Sequence, residues 1–432
     1  MKRIKNFVSI IVFLLLMFFI NEVLRYLLID DSASLTRLMM HEFYTEEENI
    51  DILFLGSSHC YRSLNPQITD EIFQKNTFNA GSSLQGLDAS YALLVEAGKE
   101  NRLEEVYVEI FYGITKEVYS ERNDLTATYL ISDYMKHGLN RIALIMNAGP
   151  SCHFMNGFVL ARRNADKILD MTWITDILSK KKKTKYRNYE YDFGYEGKGF
   201  VGSNIYMTQE ELVLGERPEE LTEEIISEDS RKYIEKIIRY CERNHIKLTF
   251  FSAPMHDFVV LSQDGYDVFT QQMRKLTDNT ASGYLDFNLC EQRIMDLQEE
   301  DFLDMHHLNS KGAEKFSRFF AEYFNNENQG VVIYDSRAQK FADMQAQAVG
   351  LIIEETGKGD SMLFYEITPV LSKSRAMEYQ ISVYPAEGDE KYLQEWSENT
   401  SFALPAGEHG VLIVEYRMAG ADGEVRFIKK EY

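Results

Sequence analysis

Apolar and polar positions divide the chain into stretches of different character. Short apolar runs at residues 51–55, 77–79, 105–110, 247–252 and 284–287 read as buried strands. Helical patterns lie between and beyond them at 66–74, 87–97, 230–244, 266–276 and 311–324. This alternation predicts a parallel sheet covered by helices on both faces, with its ligand crevice at the carboxyl ends of the strands. From 113 to 229 the alternation breaks down, which marks an insertion. Past a polar, Gly-terminated linker candidate at 325–330, alternating runs at 349–354, 362–367, 379–383 and 411–416 predict a small β-sandwich.

The N-terminus is apolar at 7–20 and partly apolar at 23–29, with Lys2, Arg3 and Lys5 ahead of it. The basic flank is expected to stay cytoplasmic and the rest of the chain to be exported. A signal peptide with a faint cleavage site at Ser32-Ala33-Ser34 is one reading. The preferred one is an uncleaved anchor, because a helix continued through Asn21, Glu22 and Arg25 reaches about 22 residues, enough to span a bilayer of about 30 Å. Glu22 and Arg25 share a face and are expected to pair near the outer boundary. The expected organisation is a single-pass transmembrane segment at 1–29, an extracytoplasmic α/β domain at 30–325 and a β-rich accessory domain at 331–432.

Composition narrows the partners. With 46 basic and 68 acidic residues the net charge is −22, which argues against nucleic acid and favours a neutral glycan. The insertion is rich in aromatics, among them Tyr129, Tyr134, Trp173, Tyr186, Tyr189, Tyr191 and Phe193. They could stack on sugar rings as a cleft wall or build a helical cap with its own small core. Its basic cluster, Lys180 to Lys183 with Lys185 and Arg187, reads as a solvated linker or as a contact for anionic headgroups. Trp396 is a candidate sugar platform in the accessory domain. Cys60, Cys152, Cys241 and Cys290 are widely spaced without a Cys-x-x-Cys pair, so neither a zinc site nor a disulfide framework is indicated. No metal or cofactor is expected.

Candidate chemistry sits in two distant stretches, Leu55-Gly56-Ser57-Ser58-His59 and Asp304-Met305-His306-His307-Leu308-Asn309. A serine hydroxyl needs an imidazole within hydrogen-bond reach, and the imidazole needs a group that fixes its tautomer. Ser58, His307 and Asp304 fit these roles, since an Asp three residues earlier in a turn can curl back onto Nδ1 while Nε2 faces the serine. His306 lacks that spacing. A helix-capping turn is the bland reading of each stretch taken alone. His59 and Cys60 line the pocket or cap a helix. His256, past a strand on the same edge, is a substrate-lining candidate or a solvated loop histidine.

These blocks resemble the SGNH, or GDSL-type, hydrolase superfamily, whose members are esterases, lipases and O-acyltransferases on a flavodoxin-like sheet. The resemblance places Gly56-Ser57-Ser58 on the Gly-Asp-Ser block, with Ser58 as nucleophile and Ser57 at the Asp position. It places Phe78-Asn79-Ala80-Gly81 on the second block, so the Gly81 amide is expected to join that of Ser58 in an oxyanion hole. Asp304 and His307 match the last block, Asp-x-x-His. The third block, Gly-x-Asn, is missing, and Glu109 stands in the corresponding strand, where it would repel an oxyanion unless it points elsewhere; it is a further lining candidate. Members with Ser at the Asp position look most like membrane-tethered proteins that acylate exopolysaccharides or teichoic acids. The resemblance therefore implies a membrane-anchored O-acetyl esterase or O-acetyltransferase acting on a cell-envelope polysaccharide. Its partners would be an acyl donor and a membrane acyltransferase. The alternative is an inactive glycan-binding or assembly protein that retains the fold.

Overall fold

The computed structural model describes residues 2–190, 194–218, 225–278, 280–291, 295–325, 330–342, 346–386, 388–420 and 425–432. Its centre is a five-stranded, all-parallel sheet in the order β2-β1-β3-β4-β5. The strands are β1 (Ile52–Leu55), β2 (Thr77–Asn79), β3 (Glu105–Glu109), β4 (Lys247–Ser252) and β5 (Gly283–Asp286), each within one residue of the run expected from sequence. Helices α1 (Lys2–Leu28), α2 (Leu35–Thr45), α3 (Ser58–Ser63), α4 (Pro66–Phe73), α5 (Leu87–Glu100), α6 (Glu228–Asn244) and α7 (Ser310–Phe324) frame it. β1 is apolar throughout because both faces are covered. Leu53 and Leu55 enter one core with Leu93 of α5 and Ile234 and Ile237 of α6. Ile52 and Phe54 enter the other with Phe316 and Phe320 of α7. Alternation along one short strand thus fastens helices to both faces.

The C-terminal region is antiparallel. Ala348–Lys358, Met362–Leu371 and Ser401–Pro405 form one sheet, and Met377–Pro385, Lys391–Ser397, Gly410–Met418 and Arg426–Glu431 form a second. Leu351, Ile353 and Ile367 of the first share a core with Tyr379, Ile381, Val414 and Tyr416 of the second. The chain thus combines an α/β layer with a β layer. Val213–Leu214 of the insertion adds a parallel strand beside Leu351 and Ile352, a crossing the sequence pattern is too short to signal. Of the linker candidate at 325–330, residues 326–329 lie outside the described residues. The guanidinium of Arg417 covers one face of Trp396 at 4.2 Å, so only the other face is left for a ligand.

Between Tyr112 and Arg187 the insertion is a series of short helices. Tyr119, Ile131, Met135 and Leu144 join the core on the α5 side, so this part has no separate core of its own. Its aromatic faces are largely taken by cations of the same chain. Arg163 lies over Tyr129, Lys167 over Trp173, Arg25 over Tyr134, and Arg37 over both Tyr186 and Tyr189. One face of each of these rings is therefore occupied; Tyr191 and Phe193 lie outside the described residues. The basic cluster is not a solvated linker throughout either. Lys181 is buried and pairs with Asp31 at 2.9 Å, and Lys180 pairs with Asp30 at 2.7 Å.

Ile4–Leu28, 25 residues, is long and apolar enough to cross a membrane, a property that signal sequences share. Arg25 and Glu22 pair at 3.6 Å, as their shared face predicts.

Candidate active site

β1 ends at Leu55, and Gly56, at φ +151°, turns the chain into α3. Ser57 caps that helix, its Oγ accepting from the His59 amide at 3.2 Å. The Ser57 N–H and hydroxyl both donate to Glu109 Oε2, at 2.9 and 2.8 Å. A carboxylate from the neighbouring strand β3 thereby holds the turn from within the fold. Ser58, the first residue of α3, is carried at the carboxyl edge of the sheet.

The loop before α7 brings the other two groups to the same edge. Asn309 caps α7 by accepting from the Lys311 and Gly312 amides, each at 3.1 Å, and so fixes where the preceding loop ends. Within that loop Asp304 Oδ1 accepts from the His306 and His307 amides at 2.8 and 2.9 Å. Both Asp304 oxygens lie 3.0 Å from His307 Nδ1, and Ser58 Oγ lies 2.8 Å from His307 Nε2. With Nδ1–H donated to Asp304, Nε2 is left to accept from Ser58. Burial works against the Asp304 charge, but the hydrogen bond from His307, its charge and the two amides outweigh it and hold the carboxyl down at about 2. Asp304 is therefore a carboxylate throughout the neutral range.

Two further rings wall the imidazole. His59 is buried, stacks on Phe111 at 4.5 Å and lies 4.8 Å from His307. Its own burial, then the neighbouring His307 and His306, push its pKa well down, so it stands as a neutral wall rather than an exposed lining group. His306 lies 6.1 Å from His59 and 6.2 Å from Phe111, both edge-on. Burial lowers its pKa too, and its Nδ1 has no hydrogen-bond partner among the described residues.

The structure corrects three expectations. The Gly81 amide donates to Asn79 Oδ1 at 3.1 Å, so its hydrogen is engaged rather than held open for an oxyanion. The Ser58 amide, at the first turn of α3, has no acceptor among the described residues. Glu109 does not line a substrate space, being buried against Ser57. His256 turns its Nδ1 to the Phe258 amide at 3.1 Å, capping the helix Asp257–Ser262, and packs edge-on against Phe302 at 5.4 Å. Its amide also donates to Met305 O at 3.1 Å, so it braces the loop that carries Asp304 and His307.

Asn79 was the positioning residue least visible in sequence. Its buried Nδ2 donates to the Cys60 and Leu64 carbonyls at 3.0 and 2.9 Å, tying the end of α3 to the end of β2. An Asn at the buried end of a strand is the signal the sequence offers. Among the described residues no group of three or more His, Cys, Asp or Glu is arranged to hold a metal ion.

Glu109 gives a pH-dependent prediction. Burial pushes its carboxyl from the ordinary 4.5 up to about 7, against the two hydrogen bonds from Ser57. The folded protein retains this proton where the unfolded chain has released it. The group's contribution to stability is thus complete below about pH 4.5 and is lost as pH rises through about 7. The swing is about 3 kcal/mol. Glu109→Gln keeps an acceptor for Ser57 and removes the titration. Thermal melts from pH 4.5 to 8 should show the variant gaining on the parent as pH rises; a Tm difference that stays flat across that range refutes the assignment.

No family model matches the chain, and no curated protein matches it. Solved structures to which it is similar include a Streptococcus pneumonia protein described by reference to platelet activating factor, at 11% identity and a TM-score of 0.33, covering 67% of this chain and 90% of that one. Another is a gut microbial diltiazem-metabolizing enzyme, at 15% identity and a TM-score of 0.20, covering 79% of this chain and 60% of that one. At these scores neither likeness carries an argument about this chain.

Proposed function

We propose that this chain is a serine acyl-transfer enzyme of the SGNH hydrolase type, an O-acetyl esterase or O-acetyltransferase acting on a neutral polysaccharide of the cell envelope. One observation carries the reading. Residues 249 apart in sequence meet with Ser58 Oγ 2.8 Å from His307 Nε2, while the other ring nitrogen lies 3.0 Å from Asp304. Ser58 Oγ attacks the acetyl carbonyl as its proton passes to Nε2. The C–O bond to the alcohol then breaks and the alcohol leaves with that proton, which gives an acetyl-serine. Water or a sugar hydroxyl next gives its proton to His307 and attacks the acetyl group, which releases acetate or an O-acetyl sugar and restores Ser58. The Ser58 amide is the oxyanion donor. α1 anchors the enzyme, the site faces the extracytoplasmic side, and residues 331–432 serve as an accessory module.

The engaged Gly81 amide favours a second reading, a binding protein on the same fold, because it leaves one backbone donor where two were expected. The buried position of Glu109 removes the other support for that reading, a carboxylate set against the oxyanion. To decide, the full chain in detergent is treated with a fluorophosphonate probe and with p-nitrophenyl acetate, beside Ser58→Ala. Labelling and turnover that vanish in Ser58→Ala support the enzyme. Turnover and labelling equal in the two proteins leave the binder.

A further inference from the structure

We infer that residues 137–171 of the insertion form a collar seated in the lipid leaflet around the outer end of α1, so that the chain meets the membrane through a surface as well as a single helix. The inference rests on α1 being a membrane anchor. The outer part of that helix is held by the insertion at successive levels. Phe18 meets the His137 ring edge-on at 5.1 Å, and Asn21 Oδ1 accepts from the Leu160 amide at 3.0 Å. Further out, Lys181 Nζ donates to Tyr26 O at 3.0 Å and Trp173 Nε1 to Leu28 O at 3.3 Å.

Those contacts fix a depth. With Ile4 as the first residue of the span, a hydrocarbon core of about 30 Å is crossed by about 20 residues and ends near Val23. Phe18 and Asn21 then lie within about 8 Å of that boundary, on the lipid side. His137 and Leu160 are held at the same level, which is the depth of about 5–10 Å at which interfacial helices bury their apolar faces.

Several exposed side chains on these segments are apolar and suit lipid, beside the charged Arg162, Asp166 and Asp170, which are also exposed. The helix Leu139–Asn147 buries Leu144 and Ile145 in the protein and presents Leu139, Ile142 and Met146 on its other side. Leu139 is 85% exposed, Leu169 87% and Met171 66%, and Met155 is half-exposed. Exposed apolar side chains carried by segments that contact a spanning helix have the bilayer as their occupant. Charge agrees with the depth. Lys181 is pinned at the level of Tyr26, beyond the boundary, and the exposed Lys182 and Lys183 that follow it reach the phosphate layer, in a chain whose net charge is −22.

The test uses the full chain with Cys152→Ser, since Cys60, Cys241 and Cys290 are buried and do not label. Single cysteines at residues 12, 139, 169 and 392 carry an NBD fluorophore, and the proteins are reconstituted in phosphatidylcholine–phosphatidylglycerol vesicles with or without brominated acyl chains. Residue 392 is the water-exposed reference. The expected result is quenching at 139 to at least about half the extent seen at 12, weaker quenching at 169, whose neighbour Trp173 sits at the level of Leu28, and none at 392. Quenching at 12 with 139 and 169 behaving as 392 does overturns the collar and leaves the anchor. No quenching at 12 overturns both. Hydrolysis of p-nitrophenyl acetate by the same vesicles reads the catalytic proposal separately.

Discussion

Replacing His307 with alanine is expected to lower kcat/KM for p-nitrophenyl acetate by roughly 10⁴-fold, while His306→Ala keeps activity within about tenfold of the parent. The two imidazoles are adjacent in sequence, yet their surroundings differ. His307 has a proton acceptor fixed on one nitrogen and the Ser58 hydroxyl on the other. His306 has a buried Nδ1 without a partner among the described residues and ring edges against Phe111 and His59. A ring in that position shapes the wall and moves no proton. Asp304→Asn should fall between the two, because an amide leaves the ring in place but favours the tautomer that carries its proton on Nε2. It also removes a carboxylate that accepts two backbone amides, so its melting temperature needs to be read beside its rate. A larger loss in His306→Ala than in His307→Ala would overturn the assignment of the base.

The parts of this molecule that were legible in sequence are those set by local period and spacing. β1 and β4 follow from runs of apolar residues, and Asp304 with His307 follows from a spacing that one turn can close. Contacts set by register were not legible. Leu55 pairs with Val108, so Glu109 falls beside Gly56, and only there can its carboxylate reach Ser57. Gly81 could not be told from a free donor, because the residue that takes its hydrogen, Asn79, stands two positions earlier in what reads as an ordinary strand end. Aromatic content in the insertion was visible, but whether a ring face meets a sugar or an arginine depends on segments such as α2, which supplies Arg37 to Tyr186 and Tyr189.

The same register explains why a large structural effect is expected from substitution at Gly56. Its φ of +151° is open to glycine and strained for any other residue. A Cβ there would stand 2.6 Å from Glu109 Cβ, 2.7 Å from Glu109 Oε2 and 3.0 Å from Cys60 Cβ. The oxygen can swing away, but the Glu109 Cβ belongs to β3 and moves only with its strand. Gly56→Ala should therefore cost about 4 kcal/mol, a large part of the 5–15 kcal/mol that holds a typical domain together. It should also displace α3, and with it the 2.8 Å approach of Ser58 to His307, lowering kcat/KM by at least about 10²-fold in whatever protein remains folded. Denaturant unfolding and initial rates measure the two effects. Adding Glu109→Ala removes the oxygen while leaving the Cβ overlap and the backbone strain, so Gly56→Ala/Glu109→Ala is expected to recover only a small part of the loss. Full recovery in the double variant would trace the penalty to the carboxylate alone and refute the argument from strand register.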